Sequence, residues 1–334
     1  MNGVIKRVKA VVAAIIIFIC PSLTGCAYQI LPSLIIHDDF KTYDCFSVNF
    51  LDVGEGDAIF INFNDGKTML IDCGEKSDAN FKTIERYLDA YAKDGLDYLV
   101  LTHPDSDHVG NAAEILDKYQ VKTAYIPYLL QPQNFSTYYA AYSIIKERGI
   151  GKTSATGSVI SGEDYYAVFL SPNASGTTDS AYDKVNVSET PDADDINNLS
   201  PIIYLDYKGV RFIFTGDAGF SQEKVALYNV KQIIRHYLQA YGKDNVNLTD
   251  IDFLKVSHHG AADGSGEEFL RALTPQNAVV SVGGNNYGHP SGVALTRILN
   301  ANENCNLYYT QLNRNISVLV DDSGKITVKT DKVE

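Results

Sequence analysis

The sequence of 334 residues has no tryptophan, two methionines and five cysteines. So few cysteines exclude a fold that depends on a dense disulfide framework. Basic residues are also scarce, because 28 lysines and arginines stand against 41 aspartates and glutamates, for a formal net charge of -13. This charge excludes an extended electrostatic grip on nucleic acid tracts. An anionic substrate would therefore have to be held locally, for example by a metal ion.

Long apolar runs are missing as well, apart from residues 10–20. That run is shorter than the roughly 20 residues that a membrane-spanning helix needs, which excludes a multi-span membrane protein. The hydrophobic fraction of 45% and the charged fraction of 21% are those of an ordinary globular protein. They exclude intrinsic disorder and allow a sizeable core.

Residues 1–25 have the three parts of a lipoprotein signal peptide. A basic segment at 6–9 precedes the apolar run, and Leu23-Thr-Gly-Cys26 resembles a bacterial lipobox. We expect Cys26 to be the lipid attachment site and the mature protein to be anchored at the extracellular face of the bacterial cytoplasmic membrane. A plain signal peptide or an uncleaved anchor is the alternative.

After a short tether at 26–44, residues 45–334 alternate between strand and helix patterns, which predicts one α/β domain. Runs rich in β-branched and aromatic residues predict strands near 47–51, 58–63, 68–72, 98–102, 123–126, 202–207, 210–214, 253–257, 278–282, 306–310, 316–320 and 326–330. Apolar spacings of three and four residues predict helices near 80–93, from about 111, within 128–148, and at 221–241, 266–273 and 292–301. The polar stretch 171–198 is typical of a long loop at the rim of a functional site.

The segment His103-Pro-Asp-Ser-Asp-His108 carries the most specific chemical signal. It offers four potential metal ligands in six positions, directly after an apolar strand and before a helix. In an extended stretch His103 and Asp105 point the same way, and the turn into the helix brings Asp107 and His108 around the same centre. Two carboxylates packed this closely repel each other unless a cation lies between them. The pattern therefore predicts a metal site rather than a solvated acidic turn.

Six motifs together resemble the metallo-β-lactamase superfamily, and within it the hydrolase domain of the ComEC-type competence DNA-uptake channels. They are Asp52-Val-Gly-Glu-Gly-Asp57, Leu70-Ile-Asp-Cys-Gly74, Thr102-His-Pro-Asp-Ser-Asp-His-Val-Gly110, Phe214-Thr-Gly-Asp-Ala218, Val256-Ser-His-His-Gly260 and Asn286-Tyr-Gly-His-Pro290. In order and spacing they cover roughly residues 47–330. The resemblance implies a four-layer αββα sandwich with two divalent metal ions at one edge.

The resemblance also implies roles for individual residues. His103 and Asp105 would bind one metal ion, Asp107 and His108 the other, and Asp217 would bridge the two. Either Asp107 or Asp217 would accept the proton of the attacking water.

Four further residues complete the implied site. His258, the nearer of two histidines to its strand end, is the expected ligand, and His259 would orient a ligand or contact substrate. Asp72 would orient a ligand as a hydrogen-bond acceptor, although a turn cap explains it equally well. His289 or His259 would protonate the leaving oxygen, with a loop histidine that packs beneath the rim as the alternative for His289.

The sequence departs from the superfamily pattern at two positions. Asp105 stands where the superfamily usually has a second histidine, as in the ComEC-like branch. The histidine ligand usually found between the second motif and the bridging aspartate is missing, and Asn198 lies near its expected place. One position thus has more oxygen and fewer imidazole ligands, which favours Mn²⁺ beside Zn²⁺ and argues against β-lactam hydrolysis.

Other residues carry weaker signals. Arg314 is a candidate for phosphate contact, with an ordinary surface arginine as the alternative. The remaining basic residues, including Lys255, are scattered and form no stripe. Some of the 22 tyrosines could stack on bases or sugars, although most are expected to fill the core and surface, and residues 128–148 could line the substrate groove.

Three functions remain open at this point. The first is a membrane-anchored, metal-dependent phosphodiesterase or nuclease of the ComEC type, acting on DNA. The second is a phosphodiesterase of cell-envelope polymers, similar to the teichoic-acid phosphorylcholine esterases of the same superfamily. The third is a metal-binding sensor or binding lipoprotein without turnover.

Overall fold

The computed structural model describes residues 42–173 and 192–332. The predicted signal peptide 1–25, the lipid attachment site Cys26, nearly all of the tether and most of the polar loop 171–198 lie outside the described residues. Within the described ranges, no helix combines the length and apolar character that crossing a membrane requires.

The first of two β-sheets has eight strands. They are β1 (Phe46–Phe50), β2 (Ile59–Asn62), β3 (Thr68–Ile71), β4 (Leu96–Val100), β5 (Val121–Ile126), β6 (Gly151–Thr153), β14 (Ile316–Val320) and β15 (Ile326–Thr330). Their order in the sheet is β15-β14-β1-β2-β3-β4-β5-β6. Strands β3, β4, β5 and β6 run parallel to one another. The other neighbouring pairs, from β15 through β14, β1 and β2 to β3, are antiparallel.

The second sheet has seven strands. They are β7 (Val159–Ser161), β8 (Tyr165–Phe169), β9 (Ile203–Tyr207), β10 (Val210–Phe214), β11 (Phe253–Lys255), β12 (Asn277–Val280) and β13 (Asn306–Tyr309). Their order is β13-β12-β11-β10-β9-β8-β7. The strands from β10 to β13 are parallel.

Ten α-helices connect these strands within the described residues. They are α1 (Asp78–Tyr91), α2 (Ser106–Val109), α3 (Ala112–Lys118), α4 (Ser136–Arg148), α5 (Ala193–Asn197), α6 (Phe220–Gln232), α7 (Ile234–Gln239), α8 (Glu267–Leu273), α9 (Gly292–Ala301) and α10 (Thr310–Asn313). Short 3₁₀ turns lie at Pro132–Asn134 and Ser257–Gly260.

The two sheets pack face to face through aromatic side chains. Phe46 of β1 stacks on Tyr207 of β9 with ring centroids 4.0 Å apart, and Phe63 stacks on Tyr165 at 4.1 Å. Burying each such side chain contributes about 1.5–3 kcal/mol, so these contacts hold the sheets together. A second apolar cluster joins the outer face of the second sheet to α6, α8 and α9.

The predicted four-layer αββα sandwich is confirmed, and most predicted elements exist. Three strands, β6, β7 and β8, were not predicted; β6 and β7 have only three residues each, and β8 covers Tyr165–Phe169. The helix expected at 221–241 is divided in two at Ile233, where the backbone leaves helical geometry with φ -128°. Asp192 begins α5 within the stretch expected to be an irregular loop.

The parallel strands direct the motifs of the chain to one edge of the sandwich. Their carboxyl ends share an edge in each sheet. Asp72 follows β3, the His103–His108 segment follows β4, Asp217 follows β10, and His258-His259 follows β11. Residues far apart in the sequence therefore meet where the two sheets end.

Candidate metal centre

The loop after β4 carries four of the predicted ligands. The side chains of His103 and His108 are fully buried, whereas 46% of the Asp105 side chain and 30% of the Asp107 side chain are exposed. Asp105 is extended and immediately precedes α2, which carries Asp107 and His108. The loop thus places two imidazoles inside the protein and two carboxylates at the rim of the same centre.

One oxygen of Asp217 lies at the middle of the histidines. Its Oδ2 is 3.3 Å from Nε2 of His108, 3.4 Å from Nε2 of His259, and 3.9 Å from Nε2 of both His103 and His258. The backbone N–H of Asp217 donates a hydrogen bond to Ser200 Oγ at 3.1 Å, which helps to fix the loop that carries this carboxylate. This central oxygen is where a carboxylate that serves two metal positions would lie.

The donor set fits divalent cations. His103, His108 and Asp217 form one group of possible ligands, and Asp107, His108 and His259 form another, with the ligand atoms of each within 4.8 Å of one another. His103 Nε2 is buried and has no hydrogen-bond partner among the described residues. A buried polar atom without a partner is costly, and a bound cation would satisfy it.

The protonation of the cluster also suits a metal site. Burial, aided by the nearby His108, lowers the pKa of His103 to about 3, so this imidazole is neutral. Burial would lower the pKa of His259 too, but the carboxylates of Asp217 and Asp107 raise it to about 10. Neutral imidazoles and ionised carboxylates are the ligand forms, so binding a cation here would displace protons from the cluster.

Asp72 orients two groups at the edge of this centre. Its Oδ2 accepts hydrogen bonds from His108 Nδ1 at 2.8 Å and from Thr102 Oγ1 at 2.6 Å, and its Oδ1 accepts one from Thr102 N at 2.8 Å. The bond to Nδ1 fixes the tautomer of His108 and directs its Nε2 to the centre. This is the contact expected of the orienting acceptor that the sequence suggested.

The two adjacent histidines lie at different depths beside the centre. His259 is 2% exposed, and its Nδ1 donates to the backbone oxygen of Ser281 at 2.8 Å, which directs Nε2 to the centre. His258 is 22% exposed, and its Nδ1 donates to Asp263 at 3.0 Å. Both have positive φ, 47° and 51°, so the chain turns sharply and directs the second ring inward. The geometry favours His259 as the ligand and His258 at the rim.

Asn198 braces the loop of Asp217. Its Oδ1 accepts a hydrogen bond from Gly219 N at 3.1 Å. Asn198, Asp217 and Asp263 also line a cavity of about 250 Å³ beside the centre, together with residues at the start of α6. The structure therefore places Asn198 next to the site, in contact with the backbone that follows Asp217.

His289 lies over the same edge with a partner that the sequence did not suggest. Its ring centroid is 5.3 Å from that of His258 and 6.3 Å from that of His259. His289 Nδ1 lies 3.2 Å from Glu55 Oε1, and Glu55 Oε2 accepts hydrogen bonds from Gly283 N and Asn285 Nδ2. The first motif of the chain thus holds the last one in place.

Sequence reasoning also missed a buried ion pair beneath the centre. Lys255, which was grouped with scattered basic residues, is fully buried, and its Nζ lies 2.6 Å from Asp57 Oδ2. The sequence contained a signal, because a lysine within an otherwise apolar strand must find a buried partner. Asp57 was noted only as the last residue of its motif.

Gly56 allows the first motif to touch the metal loop. A Cβ at this position would lie 2.2 Å from the backbone oxygen of Asp107, and φ is +127°. We expect Gly56→Ala to displace the Asp107 loop, to weaken binding of divalent cations, and to lower stability by about 1–3 kcal/mol. Cation titration calorimetry and urea unfolding would measure the two effects.

Gly292→Ala is the matched control, because the added methyl group would meet nothing within 4 Å. Cation affinity and stability of Gly56→Ala equal to those of the Gly292→Ala control would contradict the close approach.

Two weaker candidates lie elsewhere. Arg314 pairs with Asp52 at 3.0 Å and its side chain is 66% exposed, which is the position of a surface arginine in an ion pair. Tyr138 and Tyr165 are fully buried core residues, whereas Tyr128 and Tyr139 are exposed.

Comparison with known proteins finds one matching family model and related sequences. The family described as the metallo-beta-lactamase superfamily matches residues 51–178. ComE operon protein 3 of Bacillus subtilis is 29% identical over 302 residues, which cover 81% of this chain and 34% of that protein. Recombination protein 2 of Haemophilus influenzae is 26% identical over 240 residues, which cover 71% of this chain and 24% of that protein.

The chain therefore spans about a third or less of the length of these two relatives. Among solved structures, the metallo-beta-lactamase fold protein YhfI of Bacillus subtilis has a TM-score of 0.46 at 10% identity, covering 79% of this chain and 97% of that one.

Proposed function

Because this chain has the metallo-β-lactamase fold and is homologous to ComE operon protein 3, we propose that it is a metal-dependent phosphodiesterase of the ComEC-like type. The observation that carries the proposal is the central position of Asp217 Oδ2, within 3.3–3.9 Å of Nε2 of His103, His108 and His259. Asp105 and Asp107 add carboxylates at the rim. This set supplies ligands for two divalent ions, Zn²⁺ or Mn²⁺.

Two such ions, when bound, lower the pKa of a water molecule and neutralise charge on a phosphodiester. The oxygen-rich side with Asp105 suits Mn²⁺, while the imidazoles of His103, His108 and His259 suit Zn²⁺. The rest of the chemistry belongs to groups of this chain that lie around the centre.

A proton acceptor and a proton donor lie on the exposed side of the centre. The Asp107 carboxylate, 30% exposed, faces the rim and is placed to accept a proton from an attacking water. His289 donates through Nδ1 to Glu55, which leaves its Nε2 as the ring nitrogen that transfers a proton to the leaving oxygen. Because Glu55 is itself held by two donors, it fixes the orientation of His289.

The cavity beside Asp217 offers room for one substrate substituent. Its volume of about 250 Å³ is bordered by Phe220, and this side chain is 37% exposed. The cavity contains carboxylates and no lysine or arginine among its lining residues. A diester would thus be held at the metal ions and not by a basic surface, in keeping with the net charge of -13.

DNA and an envelope polymer are the two candidate substrates. The resemblance of the motifs to the ComEC-type DNA-uptake channels favours DNA, and the acidic charge of the chain favours a short or isolated diester of the cell envelope. We propose anchoring through lipid on Cys26 at the outer face of the cytoplasmic membrane, which rests on the lipobox-like sequence and would bring either substrate within reach.

The decisive experiment uses the full chain purified in detergent and loaded with Mn²⁺ or Zn²⁺. Linear DNA and bis-(p-nitrophenyl) phosphate are assayed in parallel, with Asp107→Ala as the site variant. Metal-dependent cleavage of DNA that the variant lacks supports the nuclease. Hydrolysis of the small diester alone moves the assignment to envelope polymers. Tight metal binding without either activity refutes the phosphodiesterase and favours a sensor.

A further inference from the structure

A lysine ammonium group lies directly behind the carboxylate at the middle of the centre. Lys255, at the end of β11, is fully buried. Its Nζ lies 2.6 Å from Asp57 Oδ2, donates to the backbone oxygen of Gly216 at 3.1 Å, and lies 3.7 Å from Asp217 Oδ1. Asp57 and the backbone oxygen of Gly216 thus hold the ammonium group beside Asp217 Oδ1, which lies beyond hydrogen-bond distance.

The two oxygens of Asp217 consequently face different charges. Oδ2 faces the histidine nitrogens, at 3.3–3.9 Å, and Oδ1 faces Lys255. Within the described residues Oδ1 has no hydrogen-bond donor. The ammonium group is thus the charge that keeps Oδ1 turned away from the metal positions.

Asp57 gives Lys255 its place. The ion pair between the two residues joins the first sheet to the second, since Asp57 precedes β2 and Lys255 ends β11. Asp57, Asp72 and His108 form a third group whose carboxylate and imidazole atoms could bind a cation. The ammonium group of Lys255 already lies against Asp57, so this inner position has a cation supplied by the protein itself.

The local charges are consistent with this arrangement. Five aspartates converge on the centre, namely Asp57, Asp72, Asp105, Asp107 and Asp217. With neutral imidazoles, two divalent ions and one lysine balance these five negative charges. Without Lys255 one negative charge would be left uncompensated beside Asp217, the carboxylate expected to serve both metal positions.

We propose that Lys255, held by Asp57, is a positioning residue that presents a single oxygen of Asp217 to both metal positions and so permits the second ion to bind. This inference rests on the metal pair of the proposed function but not on the identity of its substrate. A lysine with only a structural role would affect folding and leave the binding of the two ions unchanged.

The test compares the full chain with the double variant Asp57→Asn/Lys255→Met, which removes both charges and so leaves no buried unpaired ion. The control is Asp164→Asn/Lys208→Met, which removes an ion pair of the same residue types, 3.1 Å apart. Asp164 lies in the turn between β7 and β8, and Lys208 in the turn between β9 and β10. Mn²⁺ binding is measured by equilibrium dialysis, and coupling between two bound ions by low-temperature electron paramagnetic resonance.

We expect the second equivalent of Mn²⁺ to bind about 10- to 100-fold more weakly to the folded double variant, with the signal of the coupled pair diminished and the first equivalent little changed. The control should behave as the parent does. Two equivalents bound by the double variant with parental affinity, or fewer than two bound by the parent, would overturn the inference. A parent that binds two coupled ions and cleaves no diester would refute the proposed function alone.

Discussion

Replacing His259 by alanine should remove one metal equivalent and lower diester hydrolysis by about 100- to 1000-fold. The imidazole is 2% exposed, and its Nε2 lies 3.4 Å from carboxylate oxygens of both Asp107 and Asp217. Without this imidazole, the group of possible ligands formed by Asp107, His108 and His259 has one ligand fewer. A metal-activated water contributes several kcal/mol to such a reaction, which corresponds to the expected fall in rate. Metal analysis after gel filtration and kcat on bis-(p-nitrophenyl) phosphate would measure both effects.

His258→Ala is the matched comparison, because the two histidines are neighbours in the chain. Its ring is anchored to Asp263 at the rim, so the variant should retain both metal equivalents. We expect a change mainly in KM, if this ring contacts substrate. The assignment would be reversed if His258→Ala lost a metal equivalent and His259→Ala kept both.

Much of the site followed from the sequence because its ligands end parallel strands. Asp72, His103 and Asp217 each come after a short run of apolar residues, and the carboxyl ends of parallel strands meet at one edge. The gathering of these residues was therefore predictable from the strand patterns, whereas the four-layer sandwich was implied by the resemblance of the six motifs to the metallo-β-lactamase superfamily.

The choice between His258 and His259 was not predictable in the same way. It depends on two consecutive residues with positive φ. Residues other than glycine rarely adopt this backbone conformation, and the hydrophobic periodicity of the sequence does not predict it. Proximity to the strand end favoured His258, but the turn reverses which ring faces inward.

The pair of Asp57 and Lys255 escaped prediction for a different reason. Its partners lie in separate sheets and meet only when the two halves of the sandwich close, so neither local spacing nor helix or strand periodicity connects them. Glu55 and His289 are joined in the same long-range manner. Pairing between distant segments is a property of the fold and not of any one motif.

The largest effect on stability should come from Lys255→Met. The substitution leaves the carboxyl group of Asp57 buried without its partner, and breaking a buried pair in this way costs about 3–5 kcal/mol. The same change at Lys208, in an ion pair nearer to solvent, should cost less than about 1 kcal/mol. Urea unfolding of the metal-free chains, followed by circular dichroism, gives the two free energies directly.

The double variant Asp57→Asn/Lys255→Met separates the cost of an unpaired charge from the contribution of the pair. Replacing both partners by neutral groups of similar volume removes the uncompensated ion, so most of the lost stability should return. The destabilisation would then belong to the unpaired Asp57 carboxylate, and the pair itself would contribute little to folding. A double variant as unstable as Lys255→Met would instead mean that the lysine stem, packed within β11, holds the sheets together by its apolar contacts.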